Sequence, residues 1–275
     1  GEILRDQLDD KADALVFLAQ AFALSPRDQI LEAQVVELAR SANDWTATAT
    51  AYGNAIAALG DDPHEAARLS FTYAEIVEAH LIAGDGAARA LAAYFAVTTT
   101  QPGNLPAARG VLRLGSRLGR WDQCATAAVG YTAAHDRVDE PLFQELGQAA
   151  VAPADGGASA IDALARAFGE VLDGPAATGL GARVAAELHA MLGRWQRDHR
   201  GDAEAAQRRL HRALALDGNR ADVMRDLAAL ERATPGRPLY QTLRRLADAV
   251  GADLEALREA ARLAQETLRD PEAAA

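Results

Sequence analysis

The chain has almost none of what stabilises small secreted domains or builds membrane spans. Its single cysteine, Cys124, excludes an internal disulfide and favours a reducing compartment such as the cytoplasm. No run approaches the ~18 consecutive apolar residues of a membrane-spanning helix, and residues 1–6 carry no basic leader. No membrane insertion is therefore expected. Lysine is nearly absent too: Lys11 stands alone, which leaves 27 of the 28 Lys and Arg positions to arginine. An arginine-rich base composition explains that as well as a demand for planar, two-pronged carboxylate contacts does. Acidic residues outnumber basic ones by 39 to 28, giving a formal charge of -11 and a pI near 5.0. Nucleic acid is disfavoured as a partner, because phosphate binding needs clustered cations.

Catalytic constellations are missing as well. His64, His80, His135, His189, His199 and His211 include no pair at three- or four-residue spacing, so no helix offers a two-histidine metal edge. Gly156-Gly157 and Gly179-Leu180-Gly181 lack the following Lys-Ser/Thr of a phosphate-binding loop. Ser159 opens a helix and reads as a cap rather than a nucleophile. The carboxylate pairs Asp61-Asp62 and Asp139-Glu140 stand at helix starts, where the macrodipole favours negative charge. Cys124 falls where the chain wants a small buried residue. No catalytic residue, metal site or cofactor is expected, and the chain does not read as an enzyme.

What the chain does have is alanine, leucine and repetition. Aromatic residues make up 5% and apolar residues 49%, a balance that favours close contact between helices. Residues 90–121 read as the end of one helix, a Pro-Gly-Asn turn, a second helix and a Gly-Arg-Trp that starts a third. Ala90, Tyr94, Val97, Pro102 and Trp121 recur 76 positions earlier as Ala14, Leu18, Ala21, Pro26 and Trp45. The first four recur 116 positions later as Ala206, Leu210, Ala213 and Gly218. A small residue, a large apolar one, another small or β-branched one and then a turn is what a helix needs to pack closely on its neighbour and stop. Repetition of that unit predicts an all-α stacked solenoid of about twelve or thirteen helices.

On these residues the chain resembles the tetratricopeptide-repeat family, whose second helix carries such small-large-small positions followed by proline. Asp44-Trp45 and Arg120-Trp121-Asp122 stand where the family has Gly-Asp-Tyr. The family's repeat is about 34 residues, so a spacing of 76 corresponds to two somewhat long hairpins. The resemblance is good over 14–45 and 84–131, fair over 201–233 and poor over 138–181, and Leu112 departs from it where the family has a small residue. It implies a right-handed solenoid of helical hairpins whose concave face holds a protein or peptide. The expected division is a sub-array over 1–137, an irregular helical middle over 138–180 and a second sub-array over 181–275. Residues 151–157 form the strongest loop signal and the expected mobile joint. Asp270-Pro271-Glu272-Ala273 resembles the opening of another second helix, so the chain reads as a piece of a longer array.

Two features are candidates for partner binding. Arg109, Arg113 and Arg117 are spaced at four residues and project from one side of a first helix, the kind that lines the family's inner surface. By that resemblance the row contacts an acidic segment, from a partner or from the rest of the same polypeptide; the alternative is a solvated row paired with carboxylates of adjacent helices. Trp195, between Arg194 and Arg197, is the tryptophan that breaks the repeat and is the candidate for an exposed face. The expected function is a non-catalytic scaffold or adaptor. A regulatory sensor region of a larger protein, with its catalytic domain elsewhere, is the alternative.

Overall fold

The computed structural model describes residues 11–60, 62–152, 159–251 and 253–268. Among the described residues fourteen α-helices follow one another: α1 Lys11–Leu24, α2 Gln29–Ala42, α3 Trp45–Ala58, α4 Pro63–His80, α5 Gly86–Thr100, α6 Leu105–Arg117, α7 Trp121–His135, α8 Glu140–Val151, α9 Ile161–Asp173, α10 Ala182–Arg200, α11 Ala203–Leu216, α12 Ala221–Glu231, α13 Arg237–Ala249 and α14 Leu254–Leu263. A 3-10 turn, Pro175–Ala177, follows α9, and a π turn, Ala264–Leu268, ends α14. No strand occurs among the described residues. The count is close to the expected twelve or thirteen, and the weakly repetitive stretch after α7 forms two full helices. Leu142, Phe143, Leu146 and Ala150 in α8, and Ile161, Leu164, Phe168 and Leu172 in α9, fall at helical spacing and are buried.

Side chains fix where the helices begin. Asp28, Asp44, Asp62, Asn104, Asp139, Asp202 and Asp253 each accept a hydrogen bond from a first-turn amide of the helix that follows. Stops use a left-handed residue at Asn43, Asp136 and Gly201. The α12 start is capped differently. Arg220 takes the cap position, and its guanidinium holds the Asp222 carboxylate. Residues 153–158, most of the expected mobile joint, lie outside the described residues, as do Asp9 and Asp10 and the 270–273 stretch. Val151 still belongs to α8, and the Ala150 carbonyl accepts hydrogen bonds from Ser159 Oγ at 3.2 Å and from the Ala160 amide at 2.7 Å.

Close packing joins each helix to its successor or to the next but one. The apolar core is accordingly divided into four clusters that succeed one another: α1 to α4, α3 to α7, α6 to α10, and α10 to α14. The third runs across positions 137/138 and 180/181, with Leu142, Phe168, Leu188 and Leu192 in one body. The repeat anchors sit alike. Ala14, Ala90 and Ala206 are buried, as are Leu18, Tyr94 and Leu210, Val97 and Ala213, while Ala21 is half-buried. The carbonyls of Ala21, Val97 and Ala213 each accept the amide that closes the helix, from Ser25, Gln101 and Asp217. Pro26, Pro102 and Gly218 then occupy equivalent positions in the turn. Trp121 is buried, whereas Trp45 lies parallel on the His80 ring at 3.7 Å.

Ion pairs add a second set of joints. Glu32–Arg68 ties α2 to α4, Glu78–Arg113 ties α4 to α6, and Arg109–Glu145 ties α6 to α8. Arg194 with Asp222 and Asp226 ties α10 to α12, and Arg232, just past α12, reaches Glu259 of α14. Asp173–Arg209 does the same for α9 and α11. Several of these partners are 35 or 36 residues apart in sequence.

Candidate functional site

α6 begins at Asn104, whose side chain accepts the Ala107 amide, and continues with Pro106 in its first turn, where no amide donor is needed. Ala107, Ala108, Val111, Leu112 and Leu114 turn inward, leaving Arg109, Arg113 and Arg117 exposed on the outer side. Close approach to α5 depends on Gly110, where a Cβ would lie 2.6–2.8 Å from the Tyr94 ring. α6 therefore meets α5 through a glycine and an aromatic face, which draws the arginine row toward α4.

Arg113 is fully committed there. Its Nε donates to Glu78 Oε1 and its Nη2 to Oε2, both at 2.6 Å, and Tyr94 Oη donates to the same Oε2 at 3.0 Å. Such a two-pronged, charge-assisted contact is the strong form of the arginine–carboxylate pair. The Arg113 hydrogen bonds hold the Glu78 carboxyl below its ordinary range, outweighing its burial. Burial, then the Glu78 charge, pushes the Glu75 carboxyl up. Arg109 is held loosely, 3.7 Å from Glu145, with both side chains about half exposed. Arg117 makes no ion pair among the described residues, although it lies near enough to Glu78 to help lower that carboxyl. One arginine of the row is thus a structural tie, one a weak tie, and one open to solvent.

A cavity of about 340 Å³ opens beside the row, walled by Phe71 and Glu75 of α4, Tyr94 of α5, and Leu105, Pro106, Arg109 and Arg113 of α6. The Phe71 and Tyr94 rings meet edge to face at 5.7 Å between centroids. Its size is at the lower end of the range for ligand pockets, roughly 300–1,000 Å³.

No protein-family model matches the chain, and no curated protein matches it. The likeness to tetratricopeptide repeats therefore rests on the residues.

Trp195 is elsewhere. It is half-buried in α10, 5.6 Å from Phe168 between ring centroids, and its ring lies 3.4 Å from where a Cβ on Gly147 would stand. It joins α8 to α10 at the place where neighbouring even-numbered helices use ion pairs, and it is not a wall of the cavity. Arg194 and Arg197 beside it are taken up by Asp222, Asp226 and Asp198. Glu75, Glu78 and Phe71 escape any local pattern. A signal for Glu78 was present in the separation of 35 residues from Arg113, close to one family repeat.

Chemistry at other titratable groups is muted. Burial pushes the Cys124 thiol up to about 12, so the reactive thiolate is scarce at neutral pH. No cluster of three His, Cys, Asp or Glu side chains fit to hold a metal ion occurs among the described residues. No helix of the described residues is long and apolar enough to cross a membrane.

Proposed function

We propose that this chain is a non-catalytic scaffold segment, a tetratricopeptide-like right-handed solenoid that holds an acidic protein segment on its concave face, along the exposed arginine row of α6. The observation that carries this reading is the arrangement of charge at the cavity. Arg109 and Arg117 keep exposed guanidinium groups on either side of an Arg113–Glu78 pair that is already neutral. Exposed ion pairs contribute only about 0–1 kcal/mol each, so Arg109 exchanges Glu145 for a ligand carboxylate at little cost. The solenoid part of the reading is supported by helix contacts limited to near neighbours, by four successive core clusters and by the recurring separation of ion-pair partners.

The test is titration of fluorescein-labelled hexaglutamate, followed by anisotropy at low and raised salt. Wild type is expected to bind, with affinity falling as salt rises. The double variant Arg109→Ala/Arg117→Ala is expected to keep its helical circular dichroism and lose that binding. Equal binding by the two proteins refutes the reading.

A further inference from the structure

Three arginines in a row invite a ligand with three charges, yet only two of them have charge to offer. Resting on the reading above, we infer that the recognised segment is an extended chain with carboxylates at positions i and i+4 and an uncharged residue at i+2.

The spacing follows from helix geometry. Arg109 and Arg117 are eight residues apart on α6, which at 1.5 Å per residue is about 12 Å along the axis. An extended chain rises about 3.3 Å per residue and returns to the same side every second residue. Its positions i and i+4 therefore face one way about 13 Å apart, matching the axial spacing of Arg109, held only loosely by Glu145, and Arg117. Position i+2 faces the same way about 6.6 Å along, and it falls over Arg113, which has no charge to give. Both carboxylate oxygens of Glu78 are engaged by Arg113, one of them also by Tyr94 Oη. An acid at i+2 would meet a neutral pair with the Glu75 carboxyl nearby in the cavity wall. A helical ligand rises only about 1.5 Å per residue, so it would need carboxylates at i and i+8 to span the same distance, a spacing the i/i+4 peptide does not offer.

The experiment compares three labelled peptides in one Ser/Gly background: glutamates at i and i+4, glutamates at i and i+1, and glutamates at i, i+2 and i+4. The i/i+4 peptide is expected to bind about two- to five-fold tighter than the adjacent pair, the worth of one additional exposed ion pair. The third glutamate at i+2 is expected to change affinity less than two-fold. Arg109→Ala and Arg117→Ala should each erase the preference for i/i+4. Affinity that climbs with the number of glutamates irrespective of spacing overturns this inference while leaving the acidic-segment reading in place. Failure of all three peptides and of hexaglutamate to bind wild type sinks both.

Discussion

His189 gives the fold a built-in sensitivity to mild acid. It is 4% exposed in α10, and its Nδ1 lies 3.5 Å from Arg209 Nη1. Arg209 in turn is clasped by both oxygens of Asp173 at 2.8 Å. Burial, reinforced by the Arg209 charge, brings the imidazole from its ordinary 6.5 down to about 4. The unfolded chain takes up this proton near pH 6.5, whereas the folded chain takes it up only near pH 4. Between those values the unfolded state binds more protons, so stability rises with pH across the window and is lost as pH falls through it. The difference amounts to about 3 kcal/mol, a large share of the 5–15 kcal/mol typical of a folded domain. Carboxylates held down by arginine, such as Glu78 and Asp222, act below their ordinary range and so mainly beneath this window. Glu75, pushed up, works in the opposite sense and gains stability as pH falls toward its ordinary range. The assay is urea unfolding followed by circular dichroism at intervals from pH 7.5 to 4.5, for wild type and His189→Gln. Wild type should lose stability over that range by about 3 kcal/mol more than the variant, in which this contribution is absent. Identical slopes in the two proteins would show that His189 is not the group responsible.

Three further perturbations address packing. Gly110→Ala drives a methyl into the Tyr94 ring, and overpacking of about 1–3 kcal/mol should exceed the ~1 kcal/mol gained in helix propensity, lowering the melting temperature. Ala90→Leu, at a site with no exposed surface, should cost about 1–3 kcal/mol in the same assay, and an unchanged melting temperature would remove the basis of the repeat alignment. Glu32→Ala deletes a buried carboxylate that accepts from Tyr52 Oη at 2.8 Å and pairs with Arg68 at 2.8 Å. Because Arg68 is partly exposed and keeps Glu65, the loss should be about 1–3 kcal/mol by urea unfolding.

The helices were legible because their signals are local. Asp28, Asp44 and Asp202 stand beside the amides they cap, and Gly201 ends α10 with its amide donating to the Gln196 carbonyl. The anchors Ala14, Ala90 and Ala206 were legible because an alanine among larger residues marks where two helices touch. The site was legible only in part. Four-residue spacing places Arg109, Arg113 and Arg117 on one side of a helix, but what faces them comes from α4 and α5, and Glu78 lies 35 residues away from Arg113. Trp195 illustrates the same limit: its arginine neighbours suggest a surface, whereas its surroundings are decided by Gly147 and Phe168 on other helices.

The ties between every second helix have a mechanical consequence. Apolar contacts between successive helices keep their strength as salt is added, while partly exposed ion pairs weaken as the screening length shrinks from about 10 Å at 0.1 M to about 3 Å at 1 M. Ionic strength therefore acts on one set of joints and spares the other, as slackening the tendon along one side of a finger leaves the knuckles intact. The expected response to salt is a softer helical array rather than a melted one, with stiffness set by the surrounding solution.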